Sequence, residues 1–424
     1  MNHTAISRII HVTECLASGT MNFLMQATRE LAQASVRQVL IYSRRPDTPA
    51  DVRGLFDPRV ELVELPPLGR SYLRYSSALR EQLQRQLQRE RGAVVHLHSS
   101  KAGFLGRLAL KGLKPAPRVY YSPHGLSFLN RRYPLLGSVF TGLEWLAARA
   151  VPFTPVGCSR GEAELLSRLG PNPARILENA VDDSFFQLPP TPRQTPPLIV
   201  TMGRICYQKA PERFAAMAIR FRVADIPSRF VWIGNGAAAD EAMLRAAGVE
   251  VTGWLGQAHV QKLLAAATIY VQCSRWEGMP LSVLQALAAG VPCVVSNVVG
   301  NRDAVRTGIT GFVADDADSM LIGARRLLQD EALRARFSSA ARTDARERFA
   351  SSSFRARLLD LYGLEDRSAA QPAERQRWGA KAPQTLFSAG VELPTPGLPD
   401  VDGHDDQAHR GWNHARFREV TVAK

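Results

Sequence analysis

The 424-residue chain is short of cysteine, of long apolar runs and of acidic residues, and each shortage removes a class of answers. Its five cysteines, Cys15, Cys158, Cys206, Cys273 and Cys293, are widely scattered, with no Cys-x-x-Cys and no Cys/His pairing. An odd and unspaced set argues against both a disulfide framework and a zinc site, and fits free thiols in a reducing compartment. Arg, Lys, Glu or Gln interrupts every apolar stretch before it reaches the roughly 18 to 20 residues that span a bilayer. The opening MNHTAISRIIHVTE has neither the apolar core nor the cleavage site of a signal peptide, so a cytoplasmic location is expected. No Gly-x-Gly-x-x-Gly with an acidic residue downstream opens either half, which weighs against a nicotinamide oxidoreductase.

With 39 acidic against 53 basic residues the chain carries a net charge of +14. Residues 1–190 hold 24 basic and 15 acidic side chains, residues 191–364 hold 21 and 15, and residues 365–424 hold 8 and 9. A basic body suits a phosphorylated ligand, an anionic membrane or nucleic acid, and charge alone does not choose among them. The chain lacks aromatic-basic interleaving and any nucleic-acid motif, so no nucleic-acid partner is expected.

A chain of this length exceeds one ordinary core. Short β-branched runs alternate with helical patterns throughout, the mark of α/β units around parallel sheets. In the first half the strand candidates are 7–14, 37–43, 60–65, 93–99, 118–123 and 153–159, with helices near 21–34, 71–91, 103–113, 138–150 and 160–169. The segment QLPPTPRQTPP (187–197) has five prolines in eleven residues and reads as an interdomain linker. Strands at 197–203, 229–235, 249–255, 268–274 and 292–298 follow, with helices near 210–224, 258–267, 280–289 and 316–329. The expected division is therefore 1–187, 188–350, a helix at 351–363 returning to the first domain, and a disordered tail at 364–424. Two doubly wound domains leave a cleft beyond the carboxyl ends of their strands, where ligands bind.

The motifs fall at those ends. GRICYQKAP puts Gly203, Arg204 and Lys209 in a loop between strand and helix, where a guanidinium and an ammonium suit a diphosphate. WEGMPLSVLQALAAG (276–290) follows strand 268–274 and runs into a helix whose first turn is expected to hold Pro280. Gly278 permits close backbone approach, and Met279, Pro280 and Leu281 lie where a helix start binds phosphate, with N–H groups on Met279 and Leu281. Glu277 precedes that helix and Gln285 lies eight residues later, a separation approaching roughly 12 Å along a helix. One side chain can hold a sugar and the other a ribose.

These residues resemble the retaining glycosyltransferases of family 4, whose GT-B fold consists of two Rossmann-like domains facing across a cleft. The resemblance covers roughly residues 7–363. It implies that Arg204 and Lys209 bind the donor diphosphate and that Glu277 holds the sugar hydroxyls. Gln285 stands where the family usually has the ribose-binding glutamate; it keeps an acceptor oxygen but not the charge. ENAVD (178–182) resembles the family's Asn-Gly-Val-Asp, and 298–314, with Asp303, resembles the segment after its last core strands. ASGTMNF (17–23) resembles the glycine loop near the donor phosphates, with Gly19 for backbone approach and Ser18 or Thr20 as a helix cap. VHLHSSKAGFLGRLA (95–109) and YSPHGLSF (121–128) resemble segments of bacterial polysaccharide and lipid-linked-oligosaccharide transferases. His124 matches a histidine beside the transferred sugar, His98, Ser99 and Lys101 are placed on the acceptor side, and His96 alternates inward as a core residue.

The resemblance implies transfer with retention from a nucleotide-diphosphate sugar to a hydroxyl of a glycan or polyprenyl-diphosphate-linked acceptor. No metal cofactor is expected, because no Asp-x-Asp pair follows any of the strands named above. Fixed donors at Arg204, Lys209 and the helix start would carry the leaving charge. The arginine-rich stretch 70–92 and the basic, partly apolar stretch 128–150 suit docking on anionic lipid. A sugar-nucleotide-binding protein without catalysis stays open as the alternative, because of Gln285.

Overall fold

The computed structural model describes residues 6–90, 92–126, 142, 151–168, 172–189 and 194–366. The helix expected at 138–150, the surface at 128–150, residues 190–193 of the linker and the tail beyond 366 lie outside the described residues.

Two parallel sheets organise the chain. The first takes β1 (Arg8–Thr13), β2 (Arg37–Ser43), β3 (Val60–Leu65), β4 (Ala93–His98), β5 (Arg118–Ser122), β6 (Thr154–Gly157) and β7 (Arg175–Ile176) in the order β3-β2-β1-β4-β5-β6-β7. The second takes β8 (Leu198–Met202), β9 (Arg229–Ile233), β10 (Val249–Val251), β11 (Ile269–Gln272), β12 (Cys293–Ser296) and β13 (Gly311–Ala314) in the order β10-β9-β8-β11-β12-β13. Each order reverses direction once, between β1 and β4 in one sheet and between β8 and β11 in the other. Those gaps are the switch points at which doubly wound sheets open a crevice for ligands. The central strands β1, β4, β8, β11 and β12 are buried along their whole length, as expected of parallel strands covered on both faces.

The helices that cover the first sheet are α1 (Ser18–Gln33), α2 (Tyr72–Arg89), α3 (Ser100–Leu110) and α4 (Arg160–Ser167). Around the second sheet lie α5 (Pro211–Val223), α6 (Ala238–Ala246), α7 (Gln257–Ala266), α8 (Leu281–Ala288), α9 (Val299–Ala304), α10 (Ala317–Gln329) and α11 (Glu331–Phe349). The last helix, α12 (Ser351–Tyr362), turns back to the first sheet. Its Phe354, Leu358, Leu359, Leu361 and Tyr362 share a core with Leu24, Ala27 and Leu31 of α1. Phe354 meets Phe23 edge-on at 5.8 Å between ring centroids, and the Tyr362 hydroxyl lies 2.6 Å from His96 Nδ1 on β4. Gly363 at φ 67° ends the helix in the left-handed region, the common way to satisfy a last turn.

Five elements named by no expectation above are present: β7, β13, the short helices α6 and α9, and the long α11. Polar residues fill most of α11, but Leu333, Phe337, Ala341, Ala345 and Phe349 recur every fourth position and are all buried. Among the described residues no helix is long and apolar enough to cross a membrane.

Phe354 is fully buried where α1 and α12 meet, so Phe354→Ala should cost roughly 3–5 kcal/mol. The measurement is the thermal midpoint of the purified protein. An unchanged midpoint would show that α12 does not stabilise the first domain.

Candidate active site

The loops that leave β8 and β11 meet at the switch point of the second sheet. Gly203 has φ +137°, and a β-carbon there would press on the Lys209 side chain at 3.0 Å. Glycine at this position thus leaves room for the lysine to fold back over the strand end. Lys209 closes a short 3-10 turn (Tyr207–Lys209), and its Nζ donates to Glu277 Oε1 at 2.8 Å. The Gln208 side chain donates to the Trp276 carbonyl at 3.0 Å, and Arg275 N donates to the Gln208 carbonyl at 2.8 Å. The two loops are therefore stitched together through main chain and side chain. Arg204 points the other way, across to the first domain, where it pairs with Asp47 at 3.3 Å.

Glu277 is buried and held on two sides, by Lys209 and by Gln272 Nε2 at 3.3 Å. Gln272 is itself fixed: its amide also donates to Asn301 Oδ1 at 3.1 Å, and its carbonyl accepts from Ser282 at 2.9 Å and Tyr270 at 3.0 Å. Such a saturated network holds a carboxylate in one orientation. Gly278 follows, and a β-carbon on it would sit 2.9 Å from Gly125 N and 3.0 Å from Cys158 Sγ, both in the first domain. Pro280 stands at the cap position of α8 in an extended conformation and not in its first turn, and no side chain caps that helix. The Met279 carbonyl accepts from Asn179 of the ENAVD segment at 2.8 Å. Leu281 and Gln285 line a cleft between α8 and α1, together with Asn22, Phe23, Gln26 and Asp182. Glu277 is not among the residues lining that cleft, so the two ends of the motif face different surroundings.

In the first domain His124 stands after β5 with φ 55°, just before the Gly125 that Gly278 touches. Its Nε2 lies 3.0 Å from His98 Nδ1, and His98 Nε2 lies 3.1 Å from His11 Nδ1. The Phe23 ring packs on His124 at 4.4 Å between centroids. Burial pushes the imidazoles down, His124 to about 3 and His11 to about 4, so this row is uncharged at neutral pH. His98 is fully buried and therefore does not line an acceptor surface. It lies two residues beyond His96 on the same face of β4, and the alternation that turns His96 inward turns His98 inward too. His96 engages both nitrogens, with Tyr362 and with Ser122 at 2.9 Å. Ser99 is likewise committed to the protein: its hydroxyl bonds the Glu14 carboxylate and accepts from Ala102 N at the start of α3. Lys101 is exposed one turn further on.

At the start of α1 the cap residue is Ala17 and no side chain caps the helix, so neither Ser18 nor Thr20 is the cap expected from the sequence. Both lie inside the first turn. A β-carbon on Gly19 would meet nothing within 4 Å, so no packing constraint requires glycine there and the space stays open to a ligand.

Two features bear on metal binding. Asp316-Ala-Asp318 does follow a strand, β13, which the sequence did not reveal as one; Asp316 forms the capping box of α10 and Asp318 pairs with Arg220. The nitrogens of His11, His96 and His98 lie within 4.8 Å of one another. Hydrogen bonds occupy all of these ring nitrogens but one: His96 is satisfied by two hydroxyls, His98 bonds His11 and His124, and His11 Nε2 has no partner.

Several residues that shape the site gave no signal of their own. Gln272 and His11 were visible only as polar residues inside apolar strands. Glu162 sits in an ordinary amphipathic pattern, yet its carboxylate accepts from Gly125 N at 2.7 Å and Cys158 N at 2.8 Å, and burial raises its pKa. Asp303, by contrast, was marked in the sequence; its Oδ2 accepts from Gly161 N at 2.7 Å and so ties α9 to the start of α4 across the two domains. Asp47 lies in a loop with nothing to mark it.

Comparison with known proteins agrees with this architecture. Residues 17–185 match the family described as Glycosyltransferase Family 4, and residues 196–330 match Glycosyl transferases group 1. The chain is 30% identical over 279 residues to the UDP-Gal:alpha-D-GlcNAc-diphosphoundecaprenol alpha-1,3-galactosyltransferase of Escherichia coli, covering 59% of this chain and 70% of that one. Sucrose-phosphate synthase from Thermosynechococcus elongatus superposes with a TM-score of 0.71 at 16% identity, over 84% of this chain and 98% of that one. HepE of Anabaena, solved with UDP and glucose, superposes at 0.64 with 14% identity, over 84% and 99%. Two parallel-sheet domains with facing strand ends, and sequence similarity running through both, lead to one assignment: the chain belongs to glycosyltransferase family 4 and has its GT-B fold.

Proposed function

We propose that the protein transfers a sugar from a uridine-diphosphate sugar to a hydroxyl of a lipid-diphosphate-linked saccharide, with retention of configuration at the anomeric carbon. The observation that carries this is the pairing of Lys209 with the buried Glu277 at 2.8 Å beside an uncapped helix start. That arrangement sets a cation and free N–H groups where a diphosphate fits, next to a carboxylate that accepts from sugar hydroxyls. The choice of donor and acceptor class is supported by the named activity of the Escherichia coli relative.

Cleavage of the anomeric bond leaves negative charge on the diphosphate and positive charge on the ring. Arg204, Lys209 and the N–H groups at the start of α8 meet the first, and the Glu277 carboxylate offsets the second. His124 contacts the sugar from the first domain, against the Gly278 turn. Gln285 takes the ribose through its amide. The departing phosphate takes the proton of the attacking hydroxyl on the same face. Charge neutralisation is assigned to side chains and helix N–H groups, with no metal.

The acceptor's lipid would bring the protein to an anionic membrane surface. Several arginines of α2 are turned to the protein itself: Arg80 bonds the carbonyls of Ala109 and Lys111, Arg85 pairs with Glu81, and Arg89 pairs with Glu61. The start of that helix is different, with Leu73 83% and Tyr72 58% exposed beside Arg74. Apolar side chains with an adjacent cation suit insertion at a headgroup boundary.

Arg204→Ala should raise the barrier by about 3 kcal/mol, the scale for one lost oxyanion-type donor. Donor hydrolysis and transfer kinetics measure it, with a chelator leaving the wild-type rate unchanged; normal turnover in the variant overturns the assignment. Gln285→Ala should weaken donor binding by about 1 kcal/mol, the net value of one hydrogen bond. Titration calorimetry with nucleotide sugars reads this, and unchanged affinity removes Gln285 from the ribose. Leu73→Glu should reduce flotation with vesicles containing anionic lipid while leaving hydrolysis of soluble donor intact. Equal flotation would move the docking surface elsewhere.

A further inference from the structure

The row His11, His98, His124 ends in the first domain on a fixed amide. Gln38 on β2 donates from Nε2 to the Thr28 carbonyl at 2.9 Å, which sets which way the amide faces. Its Oε1 is then the atom left over, and it is buried with no well-formed partner. His11 Nε2 is likewise buried without a partner. The parallel register sets Gln38 opposite Ile9, on the face of the sheet that His11 shares, where it opposes the downward pull of burial on the His11 pKa.

These constraints select one of two proton arrangements. Each link between neutral imidazoles holds a single proton, so the row points either toward Gln38 or away from it. If it pointed away, His11 Nε2 would face the Gln38 carbonyl as acceptor against acceptor, and both would stay unsatisfied in a buried site. That costs about 1–3 kcal/mol. Pointing toward Gln38, His11 donates to Oε1, His98 donates from Nε2 to His11 Nδ1, and His124 donates from Nε2 to His98 Nδ1. Each ring N–H of the row then faces an acceptor. His124 keeps Nδ1, without a proton, as its one remaining ring nitrogen.

We propose that Gln38, His11 and His98 are positioning residues that lock the tautomer of His124, holding its Nδ1 as the acceptor for a hydroxyl of the transferred sugar. The proposal rests on the reading of His124 as a donor-sugar contact. It adds a specificity rule: the sugar position facing His124 must carry a hydrogen-bond donor. The Phe23 ring and the Gly125 backbone, itself held by Glu162, keep the imidazole from turning over. His96 stays outside the row because Tyr362 and Ser122 take both its nitrogens. No charged group takes part, and burial keeps all four imidazoles neutral.

The test is long-range proton–nitrogen correlation NMR on the full chain with labelled histidine, with the His124 signals identified by their loss in His124→Gln. In the ligand-free wild type, His124 should carry its proton on Nε2 alone. Gln38→Met, close in volume and lacking the carbonyl, should redistribute that proton and lower kcat/KM for donor hydrolysis about tenfold, the scale for setting one hydrogen bond wrongly in a desolvated site. A wild-type His124 protonated on Nδ1 overturns the proposal, and so does an unchanged tautomer in the variant or a stoichiometric metal ion bound by the imidazoles. The wild-type spectrum decides even if the variant fails to fold. Adding uridine-diphosphate sugars separates the two readings: signals of His124 that stay unmoved on donor binding refute its contact with the sugar while leaving the tautomer result standing.

Discussion

Where Gly278 lies against Gly125 and Cys158 there is no room for a β-carbon, and that backbone-to-backbone approach sets the distance between the two domains at the site. On one side the contact is backed by Gly300, whose own missing β-carbon would fall 2.2 Å from the Gly278 carbonyl oxygen. On the other, the buried Glu162 carboxylate fixes Gly125 and Cys158 by their main-chain N–H groups. These contacts bring the Glu277-Gly278 turn against the His124-Gly125 turn although the two belong to different sheets. A methyl group on Gly278 would press directly on the first domain and one on Gly300 would press on the Gly278 turn, whereas Gly125 meets no atom there and is required by its φ of +109°.

Around this contact the structure buries polar groups that would be costly if left unpaired, and pairs nearly all of them. Gln272 serves Glu277, Asn301, Ser282 and Tyr270 at once, and the histidines of β1 and β4 bond along a row. Both networks start from a strand interior and end where the two domains touch, one on Glu277 and the other on His124. Exposed groups in the same region would cost less to desolvate but would not hold their orientation.

The sequence made the frame legible and left its cross-links hidden. Apolar β-branched runs located every strand from β1 to β6 and from β8 to β12, because parallel strands buried on both faces cannot carry alternating charge. β7 and β13 escaped, one being two residues long and the other a Gly-Phe-Val-Ala segment that reads as part of a turn. α11 escaped because alanines hold two of its five buried positions and weaken the apolar signal. At the site, the loops at strand ends named Lys209, Glu277 and Gly278, since glycine and charge after an apolar run are local signals. Asp47, Glu162 and Gln38 act on residues far away in the chain, and nothing local to them says so. His98 shows the reverse error: a polar residue at a strand end, read as facing a ligand, that is fully buried and bonded to His11 and His124.

The two cations proposed to meet the diphosphate, Lys209 and Arg204, are held in different ways. Lys209 and Glu277 are 18% and 8% exposed at the side chain, so their pair is formed in a site largely closed to water. Breaking it would leave a buried charge unpaired, at roughly 3–5 kcal/mol, so the proposed donor would bind to the pair as it stands. Arg204 is 51% exposed, and its partner Asp47 belongs to the other domain. A pair of that kind contributes about 0–1 kcal/mol, less than the bidentate bond a guanidinium makes with a diphosphate. On the proposed function, Lys209 and Glu277 are the preformed part of the site, and Arg204 is the part that would exchange Asp47 for the donor's diphosphate.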